Sequence, residues 1–226
     1  MKYLFSILFI LTSLLANAQL TAAQYKLKSL DANSENGDFG TAFYGSDKIV
    51  FSSSRKNGIS NKTWEGNDQP FLDLYIGNVE PDGEITRVRP FSSSVNSKYH
   101  DAMVAFSPDL TEIYFTSNNY MNGKVRSSNL KIFKATVGSS GNRINVVSLP
   151  INNDKFSNGH PFVTKDGKKM YYISDMPGGM GGTDIYVVDI NSGHYGAPKN
   201  LGPTVNSKYK EYTPYVDGDI LYFSSN

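Results

Sequence analysis

The chain has 226 residues, of which 39% are hydrophobic and 13% aromatic, and its formal net charge at pH 7 is +1. The 22 basic and 21 acidic residues form no long basic run, so nucleic acid and anionic membranes, which require clustered Lys and Arg, are excluded as partners. The absence of cysteine excludes disulfides, thiol catalysis, Cys-ligated zinc and an acylated cysteine at a cleavage site.

The N-terminus predicts export. Lys2 precedes a short apolar run that ends at Leu15, and an Ala-Asn-Ala tripeptide ends at Ala18. This order is typical of a secretory signal peptide, and the run is shorter than the about 20 apolar residues of a membrane span. We therefore predict a signal peptide over residues 1–18 and one exported domain over 19–226, without a transmembrane segment. Export without disulfides fits a bacterial periplasm or association with the outer membrane through partners.

A motif recurs at a fixed interval along the chain. Val-Asn-Ser-Lys-Tyr occupies residues 95–99 and again 205–209, which is 110 positions later. A weaker copy lies between them at 151–156, and a fourth, Ala-Asn-Ser-Glu, lies at 32–35. The repeat unit is therefore about 55 residues long, a period that favours a propeller or a solenoid.

The sequence of each unit predicts four short strands joined by turns. The tight turns are assigned where Gly and Asp occur, because these residues tolerate the positive φ of two-residue hairpins. First strands are expected at 41–44, 103–106, 161–164 and 213–216, and second strands at 49–52, 113–116, 170–173 and 221–224. Third strands are expected at 72–76, 130–135 and 184–188, and fourth strands at 85–89, 144–147 and, more loosely, 196–201.

The second strands are continuous apolar and aromatic runs, which is typical of a sheet covered on both faces. We therefore predict an all-β fold, a β-propeller of four-stranded antiparallel blades, rather than a row of β-sandwiches, which need about 100 residues each. Three blades are complete and the fourth stops after its second strand. Residues 24–30 read as a spare fourth strand. We expect a propeller that is incomplete at its C-terminus, with closure by four irregular blades as the alternative.

A family resemblance rests on two stretches of the second and third units. Residues 106–109 and 113–117 resemble the FSPDG…IYFTS core of TolB-type WD-like propeller repeats, and residues 180–186 match the GGxDIY that follows it. Residues 200–225 are similar to the linker of Bacteroidetes envelope proteins in which a propeller precedes an OmpA-like domain. The resemblance covers residues 31–226 and implies a propeller of the bacterial envelope.

The candidate site is the end of the propeller that carries the long loops, since loops on a rigid frame commonly bind ligands. These loops are expected at 55–71, 118–129 and 175–183, the last of them a flexible glycine-rich loop. Trp64, the only tryptophan, lies in the first loop, as a contact anchor or tucked onto its own domain. One residue per unit is expected at the channel mouth, just before the first strand: Asp38, Asp101, His160 and Glu211.

These four side chains could bind a cation or a sugar, or act as acid and base in glycoside hydrolysis; the alternative is that they cap turns. No nucleophile motif or metal-ligand spacing accompanies them, so we expect no catalytic residue, metal or cofactor. The sequence thus favours a non-catalytic interaction or scaffold module of the cell envelope that binds a protein or glycan partner. The alternatives are a glycan-active hydrolase and the propeller domain of a peptidase whose catalytic domain is absent.

We predict that the native protein is secreted and begins at Gln19, because the Ala-Asn-Ala tripeptide ends one residue earlier. N-terminal sequencing of protein taken from the envelope fraction tests this. A cytoplasmic protein that still begins at Met1 would contradict it.

Overall fold

The computed structural model describes residues 27–56, 63–97, 99–121, 124–138 and 143–226, so the predicted signal peptide lies outside the described residues. Every regular element within these ranges is a β-strand. None of the residues that are described forms a helix long and apolar enough to cross a membrane.

The first two repeat units each form a four-stranded antiparallel blade. Blade one contains β1 (Asp38–Phe43), β2 (Lys48–Ser53), β3 (Asp73–Val79) and β4 (Ile85–Pro90), in that spatial order. Blade two contains β5 (Asp101–Phe106), β6 (Glu112–Met121), β7 (Lys124–Val137) and β8 (Arg143–Ser148).

Blades three and four depart from this pattern at their outer edges. Blade three contains β9 (Asn158–Val163), β10 (Lys169–Ser174) and β11 (Asp184–Asn191), followed by β12 (His194–Tyr195) and β13 (Lys199–Asn200). Both short strands pair with β11, and Pro198, which has no N–H to donate, lies between them. Blade four contains β14 (Glu211–Asp217) and β15 (Ile220–Ser225). The predicted first three strands of each complete unit are confirmed, and the loose fourth strand of the third unit is two fragments.

Two sequence predictions about the loops and the N-terminus are wrong. Residues 118–129 are not a long loop, because β6 and β7 continue as a hairpin in which Tyr120 pairs with Val125 and Met121 with Lys124. The sequence between the last pair is Asn-Gly, a strong hairpin signal. Residues 27–30, the described part of the expected spare strand, are not a strand. Lys28 instead forms an ion pair with Glu84, 2.8 Å away at the β3–β4 turn.

Each blade is bound to the next by an asparagine of the repeated motif. We call Asn96, Asn152 and Asn206 the linker asparagines. The side chain of each accepts a hydrogen bond from one backbone N–H and donates to the C=O of the same residue, at 2.6–3.1 Å, on the third strand of the preceding blade. The three residues they bind are Leu74, Ile132 and Ile185. All three are fully buried, so these bonds satisfy backbone groups that water cannot reach.

A β-bulge in the first strand supplies a second bond between blades. The third residue of each first strand has φ between 50° and 65°: Gly40, Met103, His160 and Thr213. The N–H of Met103 donates to the Ser52 hydroxyl at 2.9 Å, and the N–H of His160 donates to the Thr116 hydroxyl at 2.8 Å. The bulges of blades two and three therefore point a backbone donor at the second strand of the preceding blade.

The hydrophobic core lies between blades rather than within one. Phe115 and Phe133 stack at 5.9 Å across β6 and β7, and they pack against Val50 and Leu74 of blade one. Tyr172 and Tyr186 repeat this arrangement at 6.0 Å between blades two and three. In blade two, Phe115 belongs to one core and Tyr114 to the other, which confirms that this second strand is covered on both faces.

The corresponding pair of blade one is covered by a charged side chain. Phe51 and Tyr75 stack at 6.2 Å on the face that points away from blade two. The Arg55 guanidinium lies 5.1 Å from both ring centroids, a cation–π arrangement. A polar group thus covers an apolar surface that faces no other described blade.

We predict that Phe115→Ala lowers the free energy of unfolding by about 3–5 kcal/mol, because it removes a buried aromatic ring from the core between blades. Phe43→Ala is the matched control, since Phe43 is 66% exposed and its loss should cost less than about 0.5 kcal/mol. Urea denaturation of both variants checks this. Equal effects of the two substitutions would contradict the core assignment.

We predict that Asn96→Ala costs about 1–3 kcal/mol of stability, because it leaves the backbone N–H of buried Leu74 without its partner. Asn33 is the control, because it occupies the same place in the motif and makes a similar backbone turn to Leu30, but its side chain is exposed. Asn33→Ala should change stability by less than about 0.5 kcal/mol. Equal losses in the two variants would refute this role of the linker asparagines.

Candidate functional site

The first residue of each blade's first strand, which we also call the inner strand, occupies an equivalent position in all four blades. It pairs with a serine on the second strand. The pairs are Asp38 with Ser53, Asp101 with Ser117, Asn158 with Ser174, and Glu211 with Ser225. The structure thus places three of the four predicted channel-mouth residues at equivalent positions, as the first residue of the strand. In the third unit Asn158 holds this position, and His160 lies two residues further on, at the bulge.

Asp38 holds the linker that leads into its own blade. One carboxylate oxygen accepts hydrogen bonds from the N–H and the hydroxyl of Ser34, at 2.6 and 2.9 Å. The other forms an ion pair with Arg55 at 2.9 Å. Burial opposes ionisation here, but the hydrogen bonds from Ser53, Arg55 and Ser34 prevail and lower the pKa of Asp38.

Asp101 is fully buried and also binds a serine of its linker. Its Oδ2 accepts a hydrogen bond from the Ser97 N–H at 2.5 Å. Its Oδ1 has no hydrogen-bond partner among the residues that the structure describes. Burial raises the pKa of Asp101 to about 7, against the opposing effect of its hydrogen bonds.

Glu211 repeats this arrangement at the start of blade four. Its Oε1 accepts hydrogen bonds from the hydroxyls of Ser207 and Ser225, at 2.7 and 2.9 Å. Its Oε2 is buried without a partner in the described part of the chain. Each of the three carboxyl groups therefore binds the serine of the adjacent Asn-Ser motif. This is the turn-capping role that the sequence left as the alternative to ligand binding. Ligand binding by these residues stays a prediction.

His160 contributes to packing between blades. The N–H of Thr213, the bulge residue of blade four, donates to His160 Nδ1 at 3.3 Å. Blades one and two offer a hydroxyl for this bond, but the corresponding residue of blade three is Ile173, which has none. Burial lowers the pKa of His160 to about 4, so the ring is neutral at physiological pH and its Nδ1 is free to accept. Within the described ranges, no three acidic or histidine side chains form a group that could hold a metal ion.

The glycine-rich loop is ordered around a carboxylate rather than flexible. Asp184 accepts hydrogen bonds from the N–H groups of Met180 and Gly181, at 2.5 and 3.1 Å, and from the Asn200 amide at 2.8 Å. The N–H of Gly182 donates to the Tyr209 carbonyl, in the second copy of the motif. The loop thus fastens a linker and carries no free anion-binding amides at these positions.

A cleft of about 160 Å³ lies where the long loop of blade one meets the start of blade two. Its polar and aromatic lining residues are Phe39, Ser54, Trp64, Asn67, Gln69 and His100. The backbone N–H of Trp64 donates to the Gln69 carbonyl at 2.7 Å, and the backbone N–H of Asp68 donates to the Trp64 carbonyl at 2.9 Å. This tight turn holds the loop in place and positions the indole at the cleft.

Trp64 is both tucked and accessible, which combines the two sequence interpretations. A Cβ on Gly66 would lie 2.4 Å from the indole ring, so only glycine lets the ring rest on its own turn. The His100 ring meets the indole edge-on, with 5.3 Å between centroids. The side chain nevertheless stays 45% exposed.

His100 connects the loop to the next blade, a role that the sequence analysis missed. The ring nitrogen Nδ1 accepts a hydrogen bond from the backbone N–H of Leu72 at 3.1 Å. The backbone N–H of His100 donates to the side-chain amide oxygen of Asn118 at 3.1 Å. Burial lowers the pKa of the imidazole, which is therefore neutral with the proton on Nε2. The signal in the sequence was its position directly after the repeated motif.

Comparison with known proteins identifies similar solved structures. No protein-family model and no curated protein matches the chain. TolB from Acinetobacter baumannii is 18% identical, over 70% of this chain and 30% of that one, with a TM-score of 0.44. A protein from Agrobacterium tumefaciens assigned as a TolB is 15% identical, over 79% of this chain and 50% of that one, with a TM-score of 0.49. A puromycin-hydrolyzing peptidase from Mycobacterium tuberculosis is 16% identical, over 74% of this chain and 24% of that one, with a TM-score of 0.42. The chain thus spans 30% and 50% of the length of the two TolB structures.

We predict a pH-dependent stability difference between the wild type and Asp101→Asn. Because the folded-state pKa of Asp101 is about 7 and that of an unfolded aspartate is about 3.9, the folded state binds more protons between these values. The contribution of Asp101 to stability is therefore lost as pH rises from about 4 to 7. Asparagine, the natural residue of blade three at this position, keeps an acceptor for Ser97 and does not titrate.

Urea denaturation of both proteins at several pH values between 4 and 8 measures this difference. We expect the two stabilities to be similar near pH 4 and the variant to gain progressively on the wild type up to about pH 7. Taking the difference removes the opposite effect of His160, whose lowered pKa reduces stability as pH falls through the interval from about 6.5 to 4. A difference that stays constant with pH would contradict the raised pKa of the buried Asp101.

Proposed function

We propose that this chain is a non-catalytic interaction module of the bacterial cell envelope, which binds a protein or glycan partner through the end of the blades that carries the long loops. One observation carries the proposal. The three carboxyl groups that could serve as acid and base are each engaged by a serine of the repeated motif, whereas the accessible Trp64 lies in a cleft at the same end of the blades.

The observed partners of the carboxyl groups argue against hydrolysis. A glycosidase needs two carboxyl groups that face one substrate across about 5–9.5 Å. Asp101 and Glu211 are fully buried, and each binds within its own linker. Buried groups that hold the chain together have no access to a scissile bond.

The location in the envelope is part of the same proposal. It is supported by the signal peptide that the sequence predicts over residues 1–18 and by the absence of cysteine from the chain. The resemblance to TolB-type repeats of OmpA-family envelope proteins agrees with a periplasmic or outer-membrane-associated protein, whose partner would be another envelope protein or a glycan.

We predict that the wild-type protein turns over no substrate in a panel of chromogenic glycosides and peptides. The double variant Asp101→Asn, Glu211→Gln should give the same background rate and should fold, since both new amides keep an acceptor for their serines. Steady-state assays and circular dichroism measure this. Turnover by the wild type that disappears in the double variant would establish an enzyme and refute the proposal.

A further inference from the structure

We propose that the cleft beside Trp64 binds one ring of a neutral saccharide. This inference rests on the proposed function, since it names the chemical class of the partner at the long-loop end. It is carried by three properties of the cleft: its size, its aromatic walls and its uncharged lining.

The size of the cleft limits the ligand to a single ring. Its volume of about 160 Å³ lies below the roughly 300–1,000 Å³ of sites for drug-sized ligands. A dinucleotide or a folded peptide epitope does not fit in this volume. One sugar ring at the end of a chain, with the rest of the chain extending over the surface, does.

Two aromatic side chains provide apolar surface for such a ring. Trp64 is 45% exposed and Phe39 is 43% exposed, and both line the cleft. The face of an aromatic ring carries a partial negative charge, which attracts the weakly positive C–H hydrogens on the face of a sugar. Single exposed aromatic side chains are common, but here two of them line one cleft and together offer a ring-sized apolar surface.

The hydrogen-bonding groups of the cleft are all neutral. The Gln69 side chain accepts a hydrogen bond from the Ser54 hydroxyl at 3.2 Å through Oε1, which leaves its Nε2 free. Asn67 uses only its Oδ1, as acceptor for the Gln69 N–H at 3.0 Å. Among the described residues, the amide nitrogens of both side chains and Nε2 of His100 have no hydrogen-bond partner. These groups suit sugar hydroxyls, which both donate and accept.

Among the residues that the structure describes, no charged side chain lines the cleft. Arg55, which directly follows the lining residue Ser54, is committed to Asp38 at 2.9 Å and to the Ala32 carbonyl at 2.8 Å. His100 is neutral because burial lowers its pKa. An anionic sugar, a phosphate or a charged peptide side chain would lose hydration here without gaining a counter-ion, which is costly. The described lining therefore suits an uncharged polyol.

Hydrogen bonds hold the described walls of the cleft. The turn from Trp64 to Gln69 is closed by backbone hydrogen bonds, and the Leu72–His100 bond fixes the opposite wall. A preformed site does not need to order flexible side chains on binding, which reduces the free-energy cost of association.

The test uses the tryptophan itself as the probe. Trp64 is the only tryptophan of the chain, so selectively excited tryptophan emission reports on this cleft alone. The protein is titrated with cellohexaose, chitohexaose, maltohexaose, mannohexaose and xylohexaose, and with an oligogalacturonate as the anionic counterpart. We expect a saturable change in emission with at least one neutral hexasaccharide and none with the oligogalacturonate.

Variants assign the binding to the cleft, with affinities measured by calorimetry. Trp64→Ala and Gln69→Ala should each weaken binding about tenfold, the size expected for a contact worth about 1.4 kcal/mol. Trp64→Phe keeps an aromatic face and should lose less. Phe43→Ala removes an exposed aromatic from the other end of β1 and should bind like the wild type.

Three results would overturn the inference: no response to any neutral hexasaccharide, stronger binding of the oligogalacturonate, or unchanged affinity in Trp64→Ala. If a peptide array instead shows binding that Trp64→Ala removes, the saccharide inference is wrong and the proposed binding module stands. Catalytic turnover of any of these saccharides would refute the proposed function itself.

Discussion

The hydrogen bonds that the linker asparagines make to the preceding third strand organise this molecule. An asparagine side chain carries one amide donor group and one acceptor, so it can replace the edge of a neighbouring strand at a single residue. Leu74, Ile132 and Ile185 are fully buried, so their backbone groups cannot form hydrogen bonds to water. Each of these contacts fixes where a linker leaves one blade, and hence where the next inner strand begins.

The carboxyl groups at the strand starts act one step later along the same linkers. Asp38, Asp101 and Glu211 bind the serine that directly follows the asparagine of the motif. At Asp101 and Glu211 the motif is therefore held by both of the blades that it joins. This explains how acidic residues can repeat at equivalent positions without chemistry to perform. The accessible polar groups lie instead in the longest loop, which is positioned by His100 of the following linker.

Much of the fold was predictable because the repeat marks each blade twice, once by the motif and once by the aromatic second strand. The role of Asn96 could not be predicted, because its side chain binds backbone atoms, which every residue has, and so no particular partner residue marks the contact in the sequence. His160 was aligned with the carboxylates because it is the titratable residue nearest to the start of that strand, whereas the equivalent position, two residues earlier, holds the uncharged Asn158. Trp64 was found as a lone tryptophan, but its neighbours Gln69 and Phe39 come from different elements. Their meeting depends on the turn at Gly66, which only the folded chain reveals.

The linker contacts also determine how cooperatively the molecule unfolds. Every bond between blades described above joins sequential neighbours, so stability follows nearest-neighbour rules like those of a linear repeat array. Blade two has a core on both sides, whereas blade four has two strands and keeps Tyr215, Tyr222 and Phe223 exposed. Local opening should therefore start in blade four and reach blade two last, giving a gradient of amide exchange along the chain below the global unfolding transition.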